Sequence, residues 1–577
     1  MRNKSDRIIR WAMGGFLAVL LILYVGTNFR GLEYQYSYCG NAYQALHPES
    51  FPNNPYMSPT RPTMLSLYYT LVRFSGELWL DDRFTLLVYA GLVVLALAAV
   101  NKTAILLGAG RFSERVCVLA LMVLTHNIHL SNIPDLVSPK DFNATTMAAP
   151  VGLWVLYVSL ARKRLPVIFG WTLLLWLLSI KNAWCPTLIA LAILYQDRIP
   201  SSKKPFVAAA AALCALLLFG WYRGIFHPDV AKDAQLFDYL HTVFDNAEAD
   251  PFMDPLEGQL AFVALCLGSV GLGFLRKDAV FQRVGIVGWV GLAVWGLGGL
   301  YMNVAPDFFK VPYLLPLNFT RGLWWPQYVF YMGIAATCLA AIQRGISRPK
   351  VFAALGILAA LYFIPFRLKR MAFFGLALVL LWGLRRLTGR LRDPLRVLAI
   401  ALGFTTVSAL TYSAATQWPH FRFLIRHGIM GDNPGSNWVG VNEYIRQHTA
   451  PSATVLALST RSYYWRPRQL AFDNSIQTRT GRNTPVGPAF VFYFDYDKMV
   501  RAMQRSEWAS QLVQQWEAHD LPNVVSALRV VGFPDYLVVP SQKADWVPSK
   551  FSWPYRVEAV IGEFTIFRKQ VEVLHGI

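Results

Sequence analysis

Long apolar segments recur along most of this 577-residue chain, separated by short loops. The first covers residues 11–29 and the last covers 397–416. Each is about 15–22 residues long, which is enough for a helix to cross about 30 Å of hydrocarbon. The pattern predicts a polytopic α-helical membrane protein.

We predict about 13 transmembrane helices from these segments. Their expected positions are 11–29, 84–101, 115–132, 144–161, 165–180, 183–196, 206–222, 259–275, 284–303, 324–343, 350–366, 371–385 and 397–414.

Charge is sparse and unevenly placed. Only 15% of residues are charged, and the formal net charge is +20. Lys and Arg concentrate at the ends of the apolar segments, as in Arg162, Lys163 and Arg164, and not on one soluble face. This follows the positive-inside rule and argues against nucleic acid as a partner.

With the N-terminus in the cytoplasm, the basic loops alternate as the rule requires. The predicted cytoplasmic loops lie near 102–115, 162–164, 196–205, 276–283, 344–350 and 385–396. The odd number of helices then places the C-terminal end on the outer face, periplasmic or extracellular.

The chain is predicted to divide into residues 1–416, a transmembrane module with a long first outer loop at 30–83, and residues 417–577, a soluble α/β domain. In the C-terminal domain the patterns predict helices at Trp438–His448 and Lys498–Ala518, strands at Ala453–Leu458 and Tyr536–Pro540, and a hairpin at Val557–Phe567. That domain has no nucleotide-binding or hydrolase motif.

The first outer loop carries an early acidic residue, Glu33, a few positions after the first membrane helix. A carboxylate at this boundary can take the proton of an acceptor hydroxyl while a lipid-linked donor lies in the leaflet. The alternative is a solvated loop glutamate. Arg61, in the same loop, is a candidate for binding a lipid phosphate. The stretch Met64–Leu80 is amphipathic and predicts an interfacial helix.

A second outer segment places Asp135 and Asp141 on either side of Lys140. The two carboxylates can serve in acid–base chemistry or as oxygen ligands of a divalent metal ion. Asp141 can instead stabilise the start of the following helix. Lys140 can bind a lipid phosphate or extend towards the headgroups.

Lys181 lies at the outer end of a predicted membrane helix and has the same two interpretations as Lys140. Arg321 lies in Pro312–Trp325, a segment too broken by Pro and Gly to cross a membrane. An arginine at membrane depth needs an anionic partner, and a phosphate suits its forked donors. The alternative is an interfacial anchor beside the aromatic neighbours Trp324 and Trp325.

Several segments resemble a known family. They are the first-loop sequence His47–Tyr56, the segments Trp438–Arg446 and Thr449–Leu456, and Asp535–Pro540. With the long first loop and the C-terminal outer domain, these segments are similar to a bacterial branch of the GT-C superfamily. GT-C proteins are integral-membrane glycosyltransferases that use polyprenyl-phosphate sugars. The superfamily often has an acidic pair early in the first loop, whereas this chain has only Glu33.

The resemblance implies a glycosyltransferase in the bacterial inner membrane, transferring a sugar from a polyprenyl-phosphate carrier to a lipid or glycan acceptor at the periplasmic face. The alternative is a non-catalytic scaffold with the same fold in an envelope-polysaccharide assembly. A transporter is disfavoured because ionisable residues are almost absent from the middle of the spans. Membrane lipids are further expected partners. Whether a divalent metal is required stays open.

Overall fold

The structure of the chain is a computed structural model. It describes residues 2–28, 67–76, 78, 82–124, 144–210, 213, 217, 256–276, 278–308, 319–343, 394–427, 438–461, 469–472, 480–485, 496–547 and 553–570. These residues fall into two compact units. One contains the first helix and the described residues of 86–418, and the other contains the described residues of 30–85 and of 419–577.

The first unit is helical throughout its described part. In chain order the helices up to residue 427 are α1 (Arg2–Asn28), α2 (Leu67–Ser75), α3 (Asp82–Leu106), α4 (Phe112–Leu124), α5 (Ala144–Leu160), α6 (Leu165–Leu178), α7 (Ile180–Arg198), α8 (Leu256–Leu275), α9 (Ala279–Phe308), α10 (Phe319–Gly322), α11 (Trp324–Gln343) and α12 (Pro394–His427). Helix α2 belongs to the second unit.

Three of these helices are long and apolar enough to cross a membrane: Arg83–Leu106, Ala279–Asn303 and Trp324–Gln343. The first two also expose apolar side chains, with Leu87 72% and Leu297 68% exposed. In water such surfaces would be costly, whereas in a bilayer they meet lipid tails. The chain is therefore a membrane protein.

The predicted helices agree with the structure to within a few residues at α5, α6, α8 and α11. Helices α9 and α12 are longer than predicted, because their polar ends continue the helix beyond the apolar stretch. Helix α12 also runs across the predicted domain boundary at 416. The predicted helices at 206–222, 350–366 and 371–385 lie wholly or mostly outside the described residues, so the total of about 13 stays a prediction.

Three predicted cytoplasmic loops meet at one end of the first unit. Arg283 Nε donates to Asp197 Oδ2 at 2.6 Å, and Arg283 Nη1 donates to the Leu160 carbonyl at 2.7 Å. Arg162 Nε lies 3.9 Å from the same carboxylate. The ends of α5, α7 and α9 that carry these residues therefore lie side by side, as the alternating basic loops predict. We call this the basic end.

Helices α8 and α9 form a closely packed hairpin. A Cβ added to Gly273 would lie 3.0 Å from the Gly285 Cα, and one added to Gly288 would lie 2.8 Å from the Cys266 carbonyl oxygen. Small residues at such positions let membrane helices approach through their backbones. The glycines of α9 therefore fix its position against α8.

The C-terminal unit contains a five-stranded mixed sheet with the order β2-β1-β3-β5-β4. Its elements are α13 (Trp438–His448), β1 (Val455–Arg461), β2 (Gln469–Phe472), α14 (Tyr496–Glu517), α15 (Leu521–Val530), β3 (Tyr536–Pro540), α16 (Ser541–Ala544), β4 (Tyr555–Ile561) and β5 (Phe564–Lys569). β1 and β3 are parallel, and the remaining neighbours are antiparallel.

Each face of this sheet has its own hydrophobic core. One face packs Leu537 and Phe567 against Leu512 and Trp516 of α14 and against α15. The other face packs Val538 and the rest of a smaller cluster against α13. The alternation of side chains along β3 and β5 supplies both cores.

The predicted elements of this unit are largely confirmed. The helix at Trp438–His448, the strand at Tyr536–Pro540 and the hairpin appear as predicted. Gly562 has a φ of 57°, which suits the first central position of a two-residue hairpin turn. Helix α15 and strand β2 were missing from the prediction. The domain boundary and the side of the membrane on which this unit lies stay predictions.

Candidate functional site

Most candidate site residues lie outside the described part of the chain. These are Glu33, Arg61, Asp135, Lys140 and Asp141. For Lys181 and Arg321 the backbone is described, whereas the side chain lies outside the description. Lys181 is in the first turn of α7, and Arg321 is in the short helix α10.

Aromatic contacts hold α10 against two longer helices. The ring of Phe319 lies edge-on to Trp184 of α7, with 5.9 Å between centroids, and 5.8 Å from the ring of Tyr301 of α9. A Cβ on Gly298 of α9 would lie 2.7 Å from the Phe319 Cβ. Glycine is therefore what allows α10 to approach α9 so closely.

The end of α10 and the start of α11 are equally close-packed. A Cβ on Gly322 would overlap the ring of Trp184, and a Cβ on Gly152 of α5 would overlap the ring of Trp325. Trp324 and Trp325 are 6% and 2% exposed. They lie inside the helical unit, so they do not form the headgroup-facing aromatic belt that the alternative interpretation of Arg321 expected. We call this end, marked by Trp184, Phe319 and Trp325, the aromatic end.

The aromatic end brings the elements of two candidate residues together. Lys181 precedes Trp184 by three residues in the first turns of α7. Trp184 contacts Gly322, which directly follows Arg321. The parts of the backbone that carry Lys181 and Arg321 are therefore brought near each other by the contact between Trp184 and Gly322.

Prolines interrupt two helices near this end. Pro150 lies inside α5 and Pro186 inside α7. A proline has no backbone N–H, so Pro150 cannot donate to the carbonyl of Thr146, four residues earlier. Pro186 likewise cannot donate to the carbonyl of Asn182. In a membrane such interruptions are tolerated where neighbouring protein groups satisfy the backbone. Both helices are therefore adapted to a polar or protein-lined setting at the aromatic end.

Sequence reasoning missed the buried polar side chains in this region. Thr146, Asn182 and Gln327 are 0%, 1% and 3% exposed. The Oε1 atom of Gln327 has no hydrogen-bond partner among the described residues. A polar residue within an apolar run, close to a proline, is the signal that could have found them.

The C-terminal unit uses its described polar residues structurally. Glu558 Oε1 accepts from Arg568 at 3.2 Å and its Oε2 lies 3.6 Å from Arg556. Partial burial, with the nearby negative charge of Glu558, raises the pKa of Tyr444 above its usual value. Arg482 donates to the carbonyls of Arg446 and Thr449 at the end of α13. These contacts stabilise the fold.

Metal binding is not indicated in the described ranges, which contain no group of three or more His, Cys, Asp or Glu side chains suited to holding an ion. The carboxylates proposed as metal ligands, Asp135 and Asp141, lie outside those ranges.

No family model and no curated protein matches the chain. Among solved structures, the crystal structure of ArnT from Cupriavidus metallidurans bound to undecaprenyl phosphate aligns with 98% of this chain and 98% of that chain, at 12% identity and a TM-score of 0.45.

Proposed function

We propose that the protein is a GT-C-type glycosyltransferase of the bacterial inner membrane. It transfers a sugar from a polyprenyl-phosphate carrier to a lipid or glycan acceptor at the periplasmic face. The observation that carries this proposal is the meeting of α7 and α10, which bear Lys181 and Arg321, at the end opposite the basic end. The resemblance of the first-loop and C-terminal segments supports it.

In the proposed reaction an acceptor hydroxyl attacks the anomeric carbon of the carrier-linked sugar. The new C–O bond forms as the bond to the carrier phosphate breaks, and the anomeric configuration inverts. Glu33 takes the hydroxyl proton as general base, with Asp141 and then Asp135 as the alternative carboxylates.

The departing phosphate gains negative charge as the bond breaks. Arg321 and Lys140 neutralise that charge in the proposed mechanism, and Lys181 and Arg61 provide further contacts to the lipid phosphate. Helix α10 is suited to carrying a cation in this role, because Phe319 and Gly322 of the same short helix are held by aromatic packing.

A divalent metal is an open part of this proposal. Asp135 and Asp141 would supply its oxygen ligands. Loss of transfer in EDTA and its recovery with Mg²⁺ or Mn²⁺ would assign that role to the pair.

The second candidate function is a non-catalytic scaffold. One observation favours it: the rings of Trp184, Phe319 and Trp325 fill the space at the aromatic end so closely that glycines face them. A scaffold needs only such packing, and it needs no polyprenyl-phosphate sugar donor. The single early acidic residue, Glu33, is compatible with this alternative.

Binding of undecaprenyl phosphate to the purified full-length protein tests the proposal. Arg321→Lys keeps the charge but loses the planar, forked set of guanidinium N–H donors. We expect it to weaken binding about tenfold. Arg321→Ala should weaken binding further, up to about 100-fold. Arg556→Ala, at an arginine in the C-terminal unit that is 58% exposed, is the control and should bind normally.

Unchanged binding by a folded Arg321→Ala protein would remove Arg321 from the proposed site. A wild-type protein that does not bind undecaprenyl phosphate, and from which no polyprenyl lipid can be extracted, would favour the scaffold.

A further inference from the structure

We propose that the basic end is a binding site for the headgroup of an anionic phospholipid. The site is a cluster of six cationic residues from two loops, which we call the headgroup cluster. Its members are Arg162, Lys163, Arg164, Arg198, Lys203 and Lys204. This site is separate from the proposed donor site, which lies at the aromatic end.

Hydrogen bonds join the two loops into one surface. Arg162 Nη2 donates to the Asp197 carbonyl at 3.5 Å, and Arg198 Nη2 donates to the Lys163 carbonyl at 3.4 Å. The Tyr195 hydroxyl donates to the Lys204 carbonyl at 2.9 Å, which brings the chain after α7 back onto that helix. Residues about 35 positions apart in sequence therefore share one place.

The carboxylate within this surface does not cancel its charge. Asp197 is paired at 2.6 Å with Arg283, whose side chain is only 7% exposed. Lys163, Arg164 and Lys203 are exposed, and in the described part of the chain their side chains make no hydrogen bond or ion pair. The cluster keeps its positive charge and has donors available for a ligand.

An apolar stripe begins directly beside the cluster. Leu165, Phe169, Leu173 and Trp176 of α6 are 47%, 67%, 45% and 39% exposed. Their spacing of three or four residues places them along one face of the helix. The stripe starts next to Arg164, so a molecule with its acyl chains on α6 would hold its headgroup at the cluster.

Cations above a lipid-facing surface select an anionic headgroup. Each Lys or Arg near a bilayer surface strengthens binding of anionic lipid about fivefold, and the gain falls as salt rises. A zwitterionic headgroup carries a compensating positive charge and gains little. Phosphatidylglycerol, a phosphate diester with one net negative charge, has the chemistry that the cluster fits.

The test is native mass spectrometry of the full-length protein in detergent, titrated with phosphatidylglycerol or phosphatidylcholine. We expect the wild type to bind phosphatidylglycerol at least about tenfold more tightly at low salt. Lys163→Gln/Arg164→Gln should lower that affinity about 25-fold, and Lys203→Gln alone about fivefold.

The matched control is Lys102→Gln/Arg556→Gln, which removes the same charge from two exposed positions outside the cluster. It should change the affinity less than twofold. Equal affinity of the wild type for both lipids would overturn the proposal, as would equal losses in the site and control variants. If the double site variant does not fold, Lys203→Gln decides. Normal binding of phosphatidylglycerol by Arg321→Ala would separate this site from the donor site.

Discussion

The two ends of the helical unit are fixed by different forces, although α5, α7 and α9 reach both. At the aromatic end, rings press directly on glycines, as Trp325 does on Gly152. At the basic end, a buried arginine joins helices through Asp197 and a backbone carbonyl. On α7 the two ends are separated by 13 residues, or about 20 Å of helix.

This difference shows that the same membrane helices can be held together by one kind of interaction at one end and by another kind at the other end. Aromatic packing depends on the shapes of the side chains. The stability that it provides therefore changes with side-chain volume and hardly with salt concentration. A charge pair depends on desolvation and geometry, so it fails when one partner is removed. An end that must hold a ligand in a fixed position benefits from shape, whereas an end that meets headgroups can use charge.

Reporter fusions give the largest expected effect, because their readout is all or none. Alkaline phosphatase fused after Ser179, the single residue between α6 and α7, should be active if the aromatic end faces the periplasm. GFP fused after Ser202, next to the headgroup cluster, should fluoresce if the basic end is cytoplasmic. A C-terminal alkaline phosphatase fusion should also be active. Inverted activities would reverse the assignment of the two ends and exclude a periplasmic donor site.

Replacing Arg283 should have the largest effect on stability. Arg283→Leu leaves Asp197 without its close partner in a mostly buried place, and we expect a loss of about 3 kcal/mol, seen as a lower melting temperature in detergent. Arg162→Leu is the control, because Arg162 is 52% exposed and lies 3.9 Å from the carboxylate. It should cost less than about 1 kcal/mol. Equal losses would mean that the basic end is not held by one buried pair.

Adding a methyl group at the aromatic end should have a smaller effect. Gly152→Ala forces the Trp325 ring to move, and we expect a loss of about 2 kcal/mol. Gly170→Ala in α6 is the control, since its Cβ would meet nothing within 4 Å. There alanine should be neutral or stabilise by up to about 1 kcal/mol. A stable Gly152→Ala protein would show that the ring packing at this end is loose.

Much of the helical architecture was predictable because it depends on local composition. A run such as Ala144–Leu160 is apolar on every face, and no partner is needed to know that it favours a helix in lipid. The hairpin of β4 and β5 was predictable for a similar reason, since alternation and a glycine turn are both local signals.

The candidate site was predictable only in part. The sequence singled out Lys181 by its place at the end of an apolar run and Arg321 by its place in a segment broken by Pro and Gly, but nothing local indicated that α7 and α10 meet. Asn182 and Gln327 went unnoticed because a single amide in an apolar run has little weight in a composition pattern.

The sequence by itself determined the membrane-spanning character of the chain, the order of its helices and the charge of its loops. These follow from the free energy of moving side chains between water and lipid, which each segment expresses without its neighbours. Only the tertiary structure decided that Arg283 reaches Asp197 and Leu160, and that Trp184 lies against Gly322. Such contacts join residues 86 to 138 positions apart in the sequence. They depend on which helix faces pack together. For apolar helices in lipid, that packing is decided by side-chain shape and by a few polar groups.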